Sequence, residues 1–127
     1  MILLDTHMVL ALLGQADLNL PPAVSDELRS RSRKFASVAT VWEMAIKYRL
    51  NKLKLAFDIK DLPKLLEDID VDVVDITAAH TLAEIGPDPL TKDPFDRLLL
   101  GVCAVESMRL LTIDRALIDH PLAWRRN

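Results

Sequence analysis

MILLDTHMVLALLG, residues 1–14, carries three signals in close succession: an apolar run at Ile2–Leu4, a carboxylate at Asp5, and a stretch over 6–13 that reads as a helix. A short buried strand that ends on an acid and runs straight into a helix is the building unit of a layered α/β domain. Three further runs share the strand signature, at Lys34–Ser37, 71–75 and 110–113, each brief, apolar and partly β-branched. Helical stretches separate them. Pro21 and Pro22 suit the start of a helix over 22–30. Residues 39–53 space Trp42, Ile46, Leu50 and Leu53 three and four apart, which predicts one apolar face against the core, with Trp42 inside. Asp61 reads as the cap of a helix through residue 66, with Pro63 in its first turn. A helix over 77–85 is expected to stop at Gly86 and Pro87. Asp93-Pro94 opens the longest late helix, with Leu98, Val102 and Val105 expected to face the core, and a short helix over 115–119 precedes Trp124, Arg125 and Arg126. This alternation predicts the α/β class, a parallel sheet covered by helices on both faces.

Composition narrows the options. The 127 residues include 16 Lys plus Arg, 19 Asp plus Glu, three Gly and one Cys. A chain of that size buries roughly two-thirds of its unfolded surface around one core, so a single domain over residues 1–127 is expected without disulfide or structural metal. Cys103 sits in an apolar run and reads as a small buried hydrophobe. No run approaches the ~18 apolar residues of a membrane span. The N-terminal stretch lacks a basic leader and is broken by Asp5, so a cytoplasmic protein is expected. Neither G-x-x-x-x-G-K-[ST] nor G-x-G-x-x-G occurs, which disfavours nucleoside-triphosphate and dinucleotide folds. Charge is uneven: residues 29–54 hold eight Lys or Arg against Glu43 alone, while 58–75 hold seven acids against two Lys. A basic segment on an otherwise acidic chain suits a phosphate backbone, although taken alone it equally describes a solvated face.

Four carboxylates fall where this architecture gathers side chains. Asp5 ends the first strand, Asp114 ends the last, Asp96 lies in the first turn of the helix begun by Pro94, and Glu43 lies on the third helix. Residues just past the carboxyl ends of parallel strands converge on one rim, where ligands bind. Singly, each has a plain structural account. Asp5 and Asp114 suit helix caps, Glu43 and Lys47 suit an i, i+4 ion pair, Asp93 suits the N-cap before Pro94, and Asp96 at N3 suits the helix dipole. Gathered on one rim, however, these acids would repel one another and raise each other's pKa unless a cation neutralised them. Oxygen-only donors at incomplete coordination suit Mg²⁺ or Mn²⁺. His7, His80 and His120 have no zinc-like spacing and read as surface or packing residues.

LLDTH at 3–7, SVATVWEMAIK at 37–47, DPFDRLLLG at 93–101 and LLTID at 110–114 together resemble the PIN domain, and more closely look like the VapC-type toxin ribonucleases of toxin–antitoxin pairs. The resemblance spans nearly the whole chain. It implies a three-layer α/β/α fold with a central parallel sheet of four or five short strands. It also implies four acids around a Mg²⁺ or Mn²⁺ site, which map onto Asp5, Glu43, Asp96 and Asp114, with Thr6 and Thr112 as polar companions. Close relatives often carry His two residues before the first aspartate of DPFDR, where this chain has Thr91. The implied reaction is hydrolysis of an RNA phosphodiester by water activated at the metal. Asp5, Asp96 and Asp114 would ligate the ion, and Glu43 would orient or deprotonate the nucleophile. Lys47, Arg49, Lys52, Lys54 and Arg97 are candidate groove contacts. A homodimer and a cognate antitoxin that wraps the domain and blocks the acidic pocket are implied partners.

Two other classes compete. A PIN-like module that binds RNA or protein without cutting needs no bound ion, and the complete set of acids argues against it. A phospho-accepting receiver domain is also α/β with strand-end aspartates, but it needs paired acids after its first strand and a late Lys, whereas the last strand here ends in Asp114.

Overall fold

The computed structural model describes residues 1–126. Four strands, β1 (Ile2–Leu4), β2 (Lys34–Ser37), β3 (Val71–Val74) and β4 (Arg109–Leu111), form one all-parallel sheet in the order β3-β2-β1-β4. Six α-helices connect and cover them: α1 (Thr6–Leu12), α2 (Pro22–Leu28), α3 (Val38–Arg49), α4 (Leu62–Asp68), α5 (Ala78–Leu82) and α6 (Pro94–Glu106). The tail adds a single parallel bridge, Leu110 to Ala123, along the outer edge of β4. That edge is thereby covered, which leaves β3 as the open one.

Strand alternation sorts the core into two layers. Ile2 and Leu4 of β1, with Ala36, Val71 and Leu111, face α1, α2, α3 and α4 through Met8, Val9, Leu28, Met44, Leu62 and Leu66. Leu3, Phe35 and Leu110 face the other way, onto Leu99, Leu100, Val102 and Cys103 of α6. The expected three-layer α/β/α sandwich is therefore present, and Cys103 is buried as expected. Close packing of α5 on α6 depends on Gly101, where a Cβ would meet the His80 carbonyl oxygen at 2.2 Å. His80 is fully buried and staples the two helices: its Nδ1 accepts from the Thr77 N–H (3.1 Å) and its Nε2 lies 2.8 Å from Glu106 Oε1.

Several boundaries differ from the sequence reading. α3 stops at Arg49, short of residue 53, because Asn51 takes a left-handed conformation (φ 56°) that Asn tolerates and a helix does not. α5 ends at Leu82 rather than 85: His120 Nε2 lies 3.0 Å from Ile85 O and 2.8 Å from Pro87 O, and holds that segment against the loop. Asp61 does not cap α4, since it makes no side-chain cap bond; Asp58 instead accepts from Lys60 N–H and starts a 3-10 turn at Ile59–Asp61. Residues 115–119 form turns, not a helix, closed by the Leu117 and Ile118 N–H groups on Asp114 O. β3 ends at Val74, and β4 runs Arg109–Leu111 rather than 110–113. Val105 is exposed on the outer side of α6. Among the described residues no helix is long and apolar enough to cross a membrane.

Candidate active site

Chain order reverses between β1 and β4, since β1, β2 and β3 step one way across the sheet and β4 lies on the other side of β1. In open parallel sheets the crevice at such a switch point, past the carboxyl ends of the strands, is where ligands bind. Asp5 follows β1 directly, and its backbone N–H donates to Leu111 O at the end of β4 (3.3 Å). Asp5 is 5 % exposed and its Oδ1 accepts from the Met8 N–H (2.9 Å), so it also caps α1. Across the switch point, Thr112 and Asp114 follow β4. The Asp114 N–H donates to Thr112 Oγ1 (3.0 Å), while Asp114 Oδ1 accepts from the Ala116 N–H (2.9 Å). Asp5 therefore performs the cap duty that a plain structural account assigns it, whereas Asp114 closes a turn rather than capping the expected helix, and neither spends all of its lone pairs.

The remaining acids arrive on helices. Ser37 ends β2 and caps α3 by accepting from the Ala39 N–H (3.0 Å), so α3 begins at this same rim. One and a half turns on, Glu43 reaches α1: Thr6 Oγ1 donates to Glu43 Oε1 (2.5 Å), and Lys47 Nζ lies 3.0 Å from Glu43 Oε2. The expected Glu43–Lys47 pair exists, and the Thr6 hydroxyl orients a carboxylate. Asp93 caps α6 by accepting from the Phe95 N–H (2.9 Å), which puts Asp96 at the third helical position.

Electrostatics couples the acids. Burial, followed by the negative charges of Asp93 and Asp114, pushes the Asp96 carboxyl up to about 6, with a smaller push from Glu43; the Thr91 hydroxyl works against them. Burial also raises Asp5, opposed by the Thr112 hydroxyl, the Met8 N–H and His7, while Asp114 adds to the rise. Thr91 occupies the place where a His was the expected family residue, and its hydroxyl accepts from the Asp93 N–H (3.0 Å).

Among the described residues no group of three or more His, Cys, Asp or Glu side chains is drawn together closely enough to hold an ion unaided. The donor chemistry nevertheless fits a hard divalent cation. Asp5, Asp96 and Asp114 offer only oxygens, two of them have pKa values raised by burial and by like charge, and among the described residues no Lys or Arg forms an ion pair with any of the three. Mg²⁺ keeps its waters and commonly takes one or two carboxylates plus substrate phosphate oxygens, so it needs no closed protein cage.

The candidate groove cations divide. Lys47 is engaged with Glu43. Arg97 is exposed and makes only a long contact to Ala83 O (3.5 Å), and Arg49, Lys52 and Lys54 are exposed with no ion pair among the described residues. Trp42, expected in the core, is 58 % exposed and stands edge-on to Phe95 with ring centroids 5.7 Å apart. α3 carries two apolar stripes, and the one through Val41 and Met44 faces the core. Arg49, seven residues after Trp42 and on the same helix face, was the signal that this stripe meets solvent.

Comparison with known families agrees with the geometry. No curated protein matches the chain. The PIN domain family matches residues 2–121. With the match covering nearly the whole chain, and with the parallel sheet and strand-end acids already described, the chain belongs to the PIN domain family, a nuclease-type fold.

Proposed function

We propose that this chain is a Mg²⁺- or Mn²⁺-dependent endoribonuclease of the VapC toxin type, working in the cytoplasm as a homodimer and held in check by a cognate antitoxin. The observation that carries the reading is the coupling at the switch point: Asp96, half-buried on α6, is pushed up by burial, by Asp93 beside it, and then by Asp114 and Glu43 from two other elements, and it forms no ion pair among the described residues. Charge arranged in that way is relieved by a proton or by a bound cation, and a cation is what keeps the carboxylates ionised at neutral pH.

In this reading Asp5, Asp96 and Asp114 hold the ion, which when bound supplies Lewis-acid stabilisation of phosphoryl charge and a more acidic water. Thr112 steadies Asp5. Glu43, with one oxygen on the Thr6 hydroxyl and the other on Lys47, orients the attacking water for in-line displacement. Arg97 and Arg49 attract the RNA backbone. An antitoxin would block such a pocket most directly with an inserted Arg or Lys, which competes with the ion for the same carboxylates.

Purified protein is expected to cleave an RNA oligonucleotide in Mg²⁺ or Mn²⁺ and to stop in EDTA. Asp5→Asn is expected to cleave at background rate while keeping its fold, because Asn still accepts from the Met8 N–H. Undiminished cleavage by that variant rejects the assignment, and an intact protein that binds RNA without cutting it in Mn²⁺ is the non-catalytic module instead.

A further inference from the structure

Resting on the nuclease reading above, we propose that Trp42 and Phe95 form a ledge on which one unpaired nucleobase of the RNA stacks beside the acidic rim, so that the enzyme selects single-stranded sites. The two rings come from different helices and meet edge-to-face at 5.7 Å with an interplanar angle of 61°. Each is the chain neighbour of a candidate site acid, Trp42 of Glu43 on α3 and Phe95 of Asp96 on α6. Phe95 is half-buried, whereas Trp42 is 58 % exposed. An indole held at a fixed angle by a partner ring, with an open face, is prepared for stacking before the ligand arrives.

Charge identifies the occupant. On the same face of α3, Arg49 lies two turns beyond Trp42, about 10 Å along the axis, and Lys52 and Lys54 follow. All three are exposed and form no ion pair among the described residues, and Arg97 stands exposed one residue after Asp96. An aromatic ring flanked by unpaired cations matches a polyanion with flat apolar groups, which is single-stranded nucleic acid. In a duplex the bases are already stacked and paired and cannot reach the ring.

The test uses the full-length protein and a short single-stranded RNA carrying one fluorophore. Binding is read by anisotropy in EDTA, where no cleavage occurs, and cleavage is read separately in Mn²⁺. Trp42→Ala is expected to weaken binding and raise KM by roughly ten-fold or more with little change in kcat, and Trp42→Phe is expected to recover most of the loss. An RNA with a single abasic position next to the cut site should bind wild type as weakly as intact RNA binds Trp42→Ala, and the two changes together should cost no more than either alone. Equal binding of intact RNA by wild type and Trp42→Ala overturns the ledge even if cleavage is normal. Normal RNA binding by Trp42→Ala with loss of a dimer in sedimentation also overturns it, and makes this face a contact between copies of the chain. A wild type that binds RNA through Trp42 and does not cut it leaves the ledge standing and removes the nuclease reading.

Discussion

The two ends of the sheet differ in how their charges are settled. At the amino-terminal end of β2 and β3 lies a groove of about 870 Å³, bordered by Arg31, Arg33, Lys34, Glu67, Asp70 and Asp72. Three of these six charges are answered from within: Arg33 pairs with Asp72 (3.2 Å) and lies over the Phe35 ring, and the buried Lys34 ammonium donates to Ser30 O (2.6 Å) and Ser32 O (3.0 Å). At the carboxyl-terminal end, burial raises Asp5 and Asp96, Asp114 adds to both rises, and none of the three acids forms an ion pair with Lys or Arg among the described residues. Carboxylates raised by burial and by like charge, rather than the size of a hollow, make the carboxyl-terminal end the candidate for chemistry.

The largest effect is expected from breaking the two ends in parallel. Asp114→Asn should reduce RNA cleavage to background, while the double variant Arg33→Ala, Asp72→Ala should cleave like wild type, both measured on one labelled RNA in Mn²⁺. Next in size, Gly101→Ala should destabilise the fold by about 3 kcal/mol in denaturant melts, because its Cβ would sit 2.2 Å from the His80 carbonyl oxygen, which is rigid backbone. Since α6 carries Asp96, cleavage should fall in proportion to the folded fraction and recover at low temperature.

A smaller effect follows from pH. Asp96 is raised from 3.8 to about 6 on folding, so its contribution to stability is present below pH 4 and lost as the pH rises through 6. Asp96→Asn removes that titration. The variant should melt above wild type at pH 7 and level with it at pH 4, and Mg²⁺ should narrow the gap at pH 7 by stabilising wild type alone. The smallest change concerns Thr40, one turn before Glu43 and 2 % exposed; the Thr40 hydroxyl has no hydrogen-bond partner among the described residues. Thr40→Val should gain about 1 kcal/mol in thermal melts. If cleavage falls at the same time, the hydroxyl serves the acidic end.

Asp5, Asp96 and Asp114 were legible from local chemistry, because strand ends and helix first turns are positions a sequence announces. Glu43 could be placed on the third helix and paired with Lys47 from spacing, and the family resemblance marked it as a site acid, but its bond to Thr6 joins residues 37 apart and leaves no local trace. The sheet could be read from four apolar runs, but the way α5 ends could not, since His120 restrains residues 85 and 87 from the far end of the chain. Trp42 was misassigned to the core because apolar spacing identifies a stripe without saying which of two stripes the fold buries.

Calorimetric titration of Mn²⁺ into the intact protein, with a non-hydrolysable RNA oligonucleotide present, addresses the unbalanced acids directly. Saturable binding by wild type that disappears in Asp96→Asn and in Asp114→Asn is the predicted result. Superimposable isotherms for wild type and both variants would contradict it.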